Sequence, residues 1–278
     1  MTNRANRARI AEETLAIIAN GQYQHDGRMV DIADAVTATR ANTRLYLAET
    51  MPVPIPAESF ATRIEETNET TFAAARRLHD AGKTVCALNF ASAKNPGGGF
   101  LGGSQAQEES LARASALYAA IEPQRDYYCA GRASENALYT DHLIYSPAVP
   151  VFRDDEDQLL PQPWPCSIIT APAVNAGALL RNDPQLRGQI APTMRRRIAN
   201  MLAVALQHDH QVLVLGAWGC GVFRNDPADV AAWFDEALST EPFAGAFEHI
   251  VFAVLDRADP PATWRAFATQ FAPAAERS

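Results

Sequence analysis

Val85-Cys86-Ala87-Leu88-Asn89-Phe90-Ala91-Ser92-Ala93-Lys94-Asn95-Pro96-Gly97-Gly98-Gly99 begins as an apolar run of strand length and ends on three consecutive glycines. The same order recurs downstream, where the run Val212 to Gly216 leads into Gly219 and Gly221. Eight of the 15 glycines lie in these two regions, at Gly97, Gly98, Gly99, Gly102, Gly103, Gly216, Gly219 and Gly221. Glycines placed directly after strands let the backbone approach an anion and turn N–H groups toward it. In an open α/β sheet, ligands bind outside the carboxyl ends of the strands. Two such loops therefore point to a cradle for a diphosphate.

Working outward, Leu143 to Tyr145, Ser167 to Ala171 and His249 to Leu255 read as further strands. They alternate with helical stretches: Glu69 to Ala81, with Asn68 as N-cap and Gly82 as its stop, then Pro192 to Gln207, Pro227 to Leu238 and Pro260 to Phe271. That alternation predicts an α/β fold with helices on both faces of the sheet. Before Phe60 the pattern is different. Ile10, Leu15, Ile17 and Ile18 recur at helical spacing between Asn3 and Asn20, with Gly21 as a left-handed C-cap. Met29 to Ile32 reads as extended, Ala33 to Arg40 as a helix and Met51 to Pro56 as a proline-broken segment. The expected organisation is an N-terminal helical accessory region without strong strands over residues 1–60, and the main domain over 61–278.

Composition narrows the class. A chain of 278 residues that is 47% hydrophobic can bury a sizeable core. Its 24 Lys+Arg against 32 Asp+Glu give a net charge of −8, the wrong sign for holding nucleic acid by counterion release, so an anionic ligand must be met by specific donors. The basic cluster Arg195, Arg196 and Arg197 lies in a helical pattern with Met194, Ile198, Met201 and Leu202 and reads as a solvated helix face. Asp154 to Asp157, beside Pro161, Pro163 and Pro165, reads as a surface loop. No apolar run approaches the roughly 20 residues of a membrane span, and Met1 to Arg9 is polar with no apolar stretch behind it. Cys86, Cys129, Cys166 and Cys220 form no C-x-x-C pair, which fits a reducing cytoplasm.

Familiar nucleotide motifs do not fit. Gly219-Cys220-Gly221-Val222-Phe223-Arg224 lacks the third glycine of G-x-G-x-x-G, and no G-x-x-x-x-G-K-[ST] occurs. Gly102-Gly103-Ser104-Gln105-Ala106 is not a nucleophile elbow. His208 and His210 lack a third ligand and read as exposed turn residues, so no metal site is expected. Tyr127, Tyr128, Trp218 and Trp233 read as packing, with Trp218 as a support of the second glycine loop. Cys220 reads as a small packing residue rather than a reactive thiol. Directly after the first glycine loop come Gln107, Glu108 and Glu109, at the start of an amphipathic helix continued by Leu111, Ser115, Leu117 and Tyr118. Helical neighbours point about 100° apart, so Glu108 and Glu109 are expected not to face one bond together. One acts and the other supports.

The run Asn89 to Gly99, seven residues, then Gln107-Glu108-Glu109 resembles the catalytic loop of poly(ADP-ribose) glycohydrolases. Gly216-Ala217-Trp218-Gly219-Cys220-Gly221-Val222-Phe223-Arg224-Asn225 is similar to the diphosphate loop of the compact microbial branch of that family. The likeness runs from about Phe60 to the C-terminus. It implies a macrodomain-like mixed sheet flanked by helices, which binds the terminal ADP-ribose of a poly(ADP-ribose) chain and cuts the ribose–ribose O-glycosidic bond, with chain ends favoured. By the same resemblance Glu109 is the essential glutamate and Glu108 its helper at the ribose hydroxyls. Asn95 and Gly97, Gly98 and Gly99 form the terminal-ribose and catalytic loop, Gln107 a substrate contact, and Gly219, Cys220, Gly221 and Val222 the diphosphate binder, while Phe223 packs on the terminal ribose. Asn89 is open to two readings, a ligand contact or a satisfied polar core residue.

Breaking a ribosidic bond builds positive charge on C1 and negative charge on the leaving oxygen, so a protonated carboxyl there lowers the barrier and, once ionised, activates water. Glu109 would play both parts with its pKa raised, and neither catalytic metal nor cofactor is then required. The expected partners are poly(ADP-ribose) or ADP-ribosylated protein as substrate and ADP-ribose as product, with a monomeric enzyme and no sequence-specific nucleic acid or membrane. Two other readings stay open: a hydrolase of single ADP-ribose groups, and a non-catalytic ADP-ribose reader. The reader has no need of an acid at Glu109.

Overall fold

β5 (Val85–Phe90) is the centre of the molecule, and its side chains alternate between two cores. Cys86 and Leu88 face one hydrophobic cluster while Val85 and Ala87 face the other, as the two-residue period of a strand requires. β8 (Val212–Leu215) and β9 (His249–Ala253) divide in the same way, Leu213, Leu215, Ile250 and Phe252 against Val212, Val214, Val251 and Ala253. A strand buried on both faces has no polar alternation, which is why these runs are continuously apolar. The computed structural model describes residues 3–47 and 58–272, so the segment Met51 to Pro56 lies outside the described residues.

The seven-stranded sheet has the order β3-β6-β7-β5-β8-β9-β4, adding β3 (Arg44–Tyr46), β4 (Arg63–Thr67), β6 (Leu143–Arg153) and β7 (Leu159–Ala171). The five strands from β7 to β4 are parallel, whereas β3 and β6 pair antiparallel at one side. The predicted α/β architecture is therefore a mixed sheet. One face carries α7 (Ala176–Asn182), α8 (Ile190–Gln207), α9 (Pro227–Leu238) and α10 (Ala262–Phe271). Their buried residues Leu179, Met194, Ile198, Leu202, Val230, Phe234 and Phe267 belong to the first core. The other face is covered by α1 (Arg4–Asn20), α2 (Ala33–Asn42), α3 (Thr71–Asp80), α4 (Gln107–Ala114), α5 (Leu117–Ile121) and α6 (Arg125–Ala133).

Several expectations need correction. The leading region does contain strands: β1 (Gln22–His25) and β2 (Arg28–Asp31) form a hairpin, and β3 pairs with β6 in the main sheet. β3 and β4 were not legible because each is short and carries charged residues at an edge of the sheet. α3 is capped by Thr70, whose hydroxyl accepts from Ala73 N, and not by Asn68, which instead exchanges hydrogen bonds with the backbone of Asp256. The amphipathic run after Gln107 is broken at Ser115, an extended residue bridged to Val151, so α4 and α5 are separate helices. Pro161, Pro163 and Pro165 lie within β7 rather than in the acidic loop.

The basic cluster is not uniformly solvated. Arg195 and Arg196 are exposed, but Arg197 is fully buried; it donates to Asp141 Oδ1 (2.7 Å), to Pro172 O (2.9 Å) and to Leu138 O. Breaking a buried, hydrogen-bonded pair leaves its partners uncompensated. Arg197→Met is expected to lower unfolding free energy by about 3–5 kcal/mol, read from denaturant midpoints; an unchanged midpoint would show that the contact contributes nothing. His208 and His210 are likewise not exposed turn residues. His210 is 4% exposed, hydrogen-bonded to Tyr145 OH at 2.9 Å, and burial pushes its pKa down to about 4, while His208 stacks on Tyr145 and bonds Tyr46 OH at 2.7 Å. They tie β3 and β6 to the end of α8.

Candidate active site

β5 and β8 are parallel neighbours, in register from Val85↔Val212 to Ala87↔Val214, so the glycine loops that follow them leave the same end of the sheet side by side. Ends of parallel strands have unpaired backbone groups and space between diverging loops, which is where α/β ligand sites form. In the first loop the chain turns through Gly97 (φ 66°) and Gly98 (φ 61°) into a 3-10 turn at Phe100–Gly102, pinned by the fully buried Phe100. It then enters α4.

The first three residues of α4 each grip a different part of that loop. Gln107 accepts from Phe90 N (2.8 Å) through Oε1 and donates through Nε2 to Leu88 O (2.7 Å) and Thr71 Oγ1 (3.1 Å). Both ends of its amide are engaged, so Gln107 fastens the helix to β5 rather than contacting a ligand, a correction to its expected role. Glu108 is 4% exposed and its Oε2 accepts from Ser92 N at 2.7 Å. Glu109 is half-buried, and its Oε1 accepts from Gly99 N at 2.9 Å.

The two carboxylates were expected to diverge, yet they converge on Gly98. A Cβ at that residue would stand 2.5 Å from Glu109 Oε1 and 3.0 Å from Glu108 Oε2. The loop wraps around the start of the helix, so one backbone stretch meets both side chains from different sides. Depth separates them instead of direction: Glu108 is sealed and Glu109 is half-exposed. Burial pushes the Glu108 carboxyl up to about 8. The Ser92 N–H opposes that rise most, Glu109 adds to it, and the Asn89 amide and the Gly97 N–H pull it down.

Asn89 shares the Ala87 face of β5 and is fully buried, its Nδ2 donating to Thr170 Oγ1 at 3.2 Å. Of its two readings the core position is the one the geometry favours, although Oδ1 has no partner among the described residues. Asn95 sits at the exposed rim, its backbone N donating to Ser92 Oγ (3.1 Å) and its carbonyl accepting from Gly98 N (3.0 Å). Outside the loop, α1 braces the turn: Arg4 Nε donates to Gly102 O and Arg7 Nε to Gly103 O, both at 2.9 Å. The buried Arg113 donates to Ser104 O at 2.9 Å from the other side.

The second loop is held from below. Trp218 is fully buried and donates through Nε1 to Ala171 O at 3.2 Å, as its supporting role required. Asn225 Nδ2 donates to Val174 O (2.8 Å) and Gly219 O (3.0 Å), closing the loop on itself. Gly219 has φ 76°, and a Cβ there would meet Ala173 Cβ at 2.5 Å, so no larger residue fits. Among the described residues, the backbone N–H groups of Gly219, Gly221, Val222 and Phe223 donate to no protein acceptor. Val222 is 81% exposed, turning its side chain outward. Burial pushes the Cys220 thiol up to about 12, which keeps it protonated. Phe223 is half-buried; its carbonyl accepts from Gly177 N (2.9 Å) and its ring lies 6.2 Å from that of Tyr139. Sequence reasoning missed Ser92 and Asn225 as builders of the site; their only signal was a polar residue inside each glycine loop.

A row of free N–H donors after β8 and a half-exposed carboxyl after the β5 loop thus follow neighbouring strands at one end of the sheet, an arrangement suited to holding a diphosphate and delivering a proton. A family model described as the catalytic domain of microbial-type PARG, poly(ADP-ribose) glycohydrolase, matches residues 11–154. Among solved structures, the chain is similar to poly(ADP-ribose) glycohydrolase from Thermomonospora curvata, with 47% identity over 96% of this chain and 100% of that one and a TM-score of 0.90. The same Thermomonospora curvata enzyme bound to the inhibitor ADP-HPD matches at 48% identity, equal coverage and a TM-score of 0.89. Poly(ADP-ribose) glycohydrolase from Deinococcus radiodurans in complex with ADP-ribose matches at 53% identity over 85% of this chain and 97% of that one, with a TM-score of 0.80. The search of curated proteins found no match.

Proposed function

The chain belongs to the microbial-type poly(ADP-ribose) glycohydrolases, and from that membership we propose how its own residues perform the reaction. The activity is hydrolysis of poly(ADP-ribose) with release of ADP-ribose. In our reading the diphosphate of the bound unit lies on the free N–H groups of Gly219, Gly221, Val222 and Phe223, with Cys220 supplying backbone alone. Phe223 packs on the terminal ribose, and Asn95 with Gly97, Gly98 and Gly99 borders it. Glu109 gives its proton to the leaving ribose oxygen as the C1–O bond breaks. The ionised Glu109 then takes a proton from the water that attacks C1, which restores the acid. Glu108 supports it from the buried side of Gly98. The observation that carries this reading is the half-open Glu109, fixed to Gly99 N at 2.9 Å beside a loop with unspent donors.

The same reading makes the enzyme an exo-acting, monomeric, cytoplasmic macrodomain protein, in which residues 1–60 act as an accessory region bracing a catalytic domain over 61–278. Its support is the bond from Arg4 to Gly102 O, together with the free thiols of Cys86, Cys129, Cys166 and Cys220. No helix among the described residues is long and apolar enough to cross a membrane. The test is incubation with long poly(ADP-ribose) and, separately, with a mono-ADP-ribosylated protein. Free ADP-ribose is expected from the polymer from the first time point; intact polymer would overturn the reading, and early release of oligomers would overturn its exo part. Phe223→Ala is expected to lower kcat by roughly 10- to 10²-fold, since a loosened ribose leaves the attack geometry. Unchanged kinetics would make Phe223 a packing residue.

A further inference from the structure

Arg113 is 2% exposed, and its carboxylate partner is held loosely, with Asp157 Oδ1 standing 3.5 Å from Nε. The guanidinium fork is turned instead to the segment that follows the glycine loop. Nη1 donates to Ser104 O at 2.9 Å, and Nη2 donates to Gln105 Oε1 and lies 3.5 Å from Ser110 Oγ. Burying a guanidinium costs stability that a packed apolar side chain would not, and the fork that commonly meets a carboxylate is spent here on a backbone carbonyl. Ser104 in turn rests on Gly99. Its N–H and that of Gly102 both donate to Gly99 O at 3.1 Å, and a Cβ at Gly99 would stand 2.6 Å from Ser104 Oγ. Gly99 N is the donor that fixes Glu109 Oε1 at 2.9 Å. Glu109 and Arg113 lie four residues apart on α4, where side chains share a face. The contacts close a ring, from Glu109 to Gly99, to Ser104, to Arg113 and back through one turn of helix.

We propose that Arg113 is the positioning residue of Glu109: by clamping Ser104 O it immobilises the Gly99 peptide whose N–H holds the reacting carboxyl. Among the described residues the ion pair of Arg113 is with Asp157, so its hold on Glu109 runs through the turn. The turn has other anchors, since Arg4 and Arg7 of α1 take the two preceding carbonyls, Gly102 O and Gly103 O, each at 2.9 Å. Phe100 packs there with Ala11 and Ala112 in a small core of its own. These contacts keep the turn folded without Arg113, and what its loss releases is the seat of Gly99 against Ser104. The proposal rests on the reading of Glu109 as the acid. Glu109→Ala tests that reading, whereas the coupling between the two residues tests this one, so the two fail separately.

Arg113→Lys keeps a cation beside Asp157 but has no fork to reach Ser104 O and Gln105 Oε1 together. It is expected to fold, to bind ADP-ribose within a few fold of the wild type by calorimetry, and to lose roughly 10-fold in kcat at nearly constant KM, because a displaced reacting group misses its attack geometry. Arg113→Met, which has no donor, is expected to lose roughly 10- to 10²-fold in kcat. Rates are referred to the fraction of protein that binds ADP-ribose, so that unfolded material is not counted. The same substitutions are then made in a Glu109→Ala background, where each is expected to cost no more than about two-fold further, since residues that act as a unit are not additive. A role in the fold alone would slow both backgrounds by the same factor. Wild-type kcat in Arg113→Lys, or equal losses with and without Glu109, would overturn the proposal. Should Arg113→Met not fold, Arg113→Lys carries both arms of the cycle.

Discussion

Glu109→Ala is expected to lower kcat on poly(ADP-ribose) by roughly 10²- to 10⁴-fold, the usual cost of losing a general acid, while ADP-ribose binding stays within a few fold. Glu109 is half-open and bonds one backbone group, Gly99 N, so its removal leaves the core intact and Tm is expected to change little. Glu109→Gln sharpens the assignment, because its amide oxygen can still accept from Gly99 N and hold the loop. It is expected to be as slow as the alanine variant, since an amide has no proton to exchange with the leaving oxygen. Calorimetry with ADP-ribose and initial rates on polymer separate the two quantities. Near-normal hydrolysis by either variant would remove Glu109 from the mechanism.

Gly98→Ala is the second large effect, because one methyl group collides with both carboxylates. Gly98 has φ 61°, a region that costs an L-residue roughly 1–2 kcal/mol. Its Cβ would lie 2.5 Å from Glu109 Oε1 and 3.0 Å from Glu108 Oε2. Glu108 is packed in and has nowhere to go, so the open Glu109 must yield and lose its bond to Gly99 N. A displacement of about 1 Å at a reacting group costs on the order of 10²-fold in rate. The expected result is a folded protein with modestly lower Tm, retained ADP-ribose binding and kcat reduced by about that factor. Full kcat in Gly98→Ala would mean that Glu109 is not held where the reaction occurs.

Much of the site was legible before any coordinates. Gly97, Gly98 and Gly99 followed by Glu108 and Glu109 carry their own logic, since a backbone that must pass close to side chains excludes Cβ atoms. Other residues misled because their identity is ambiguous without neighbours. Gln107 beside two acids looked like a ligand contact, but the end of β5 supplies a donor and an acceptor that use up its amide. Arg197, directly after two solvated arginines, looked exposed, but the loop holding Leu138 and Asp141 closes over it. Glu108 and Glu109 looked alike apart from direction, and depth of burial is what distinguishes them.

Local features belong to the chain alone: apolar runs of strand length, proline at helix starts, glycine after strands, and Gln107-Glu108-Glu109 following the glycine triplet after seven residues. Each depends on sterics and periodicity among near neighbours, which hold wherever the segment lies. Packing settled the matters that depend on distant partners. Pairing of β5 with β8 set the two loops side by side, and burial at the start of α4 raised the Glu108 carboxyl. Desolvation is a property of everything surrounding a group. A one-dimensional pattern does not contain it until the chain has folded.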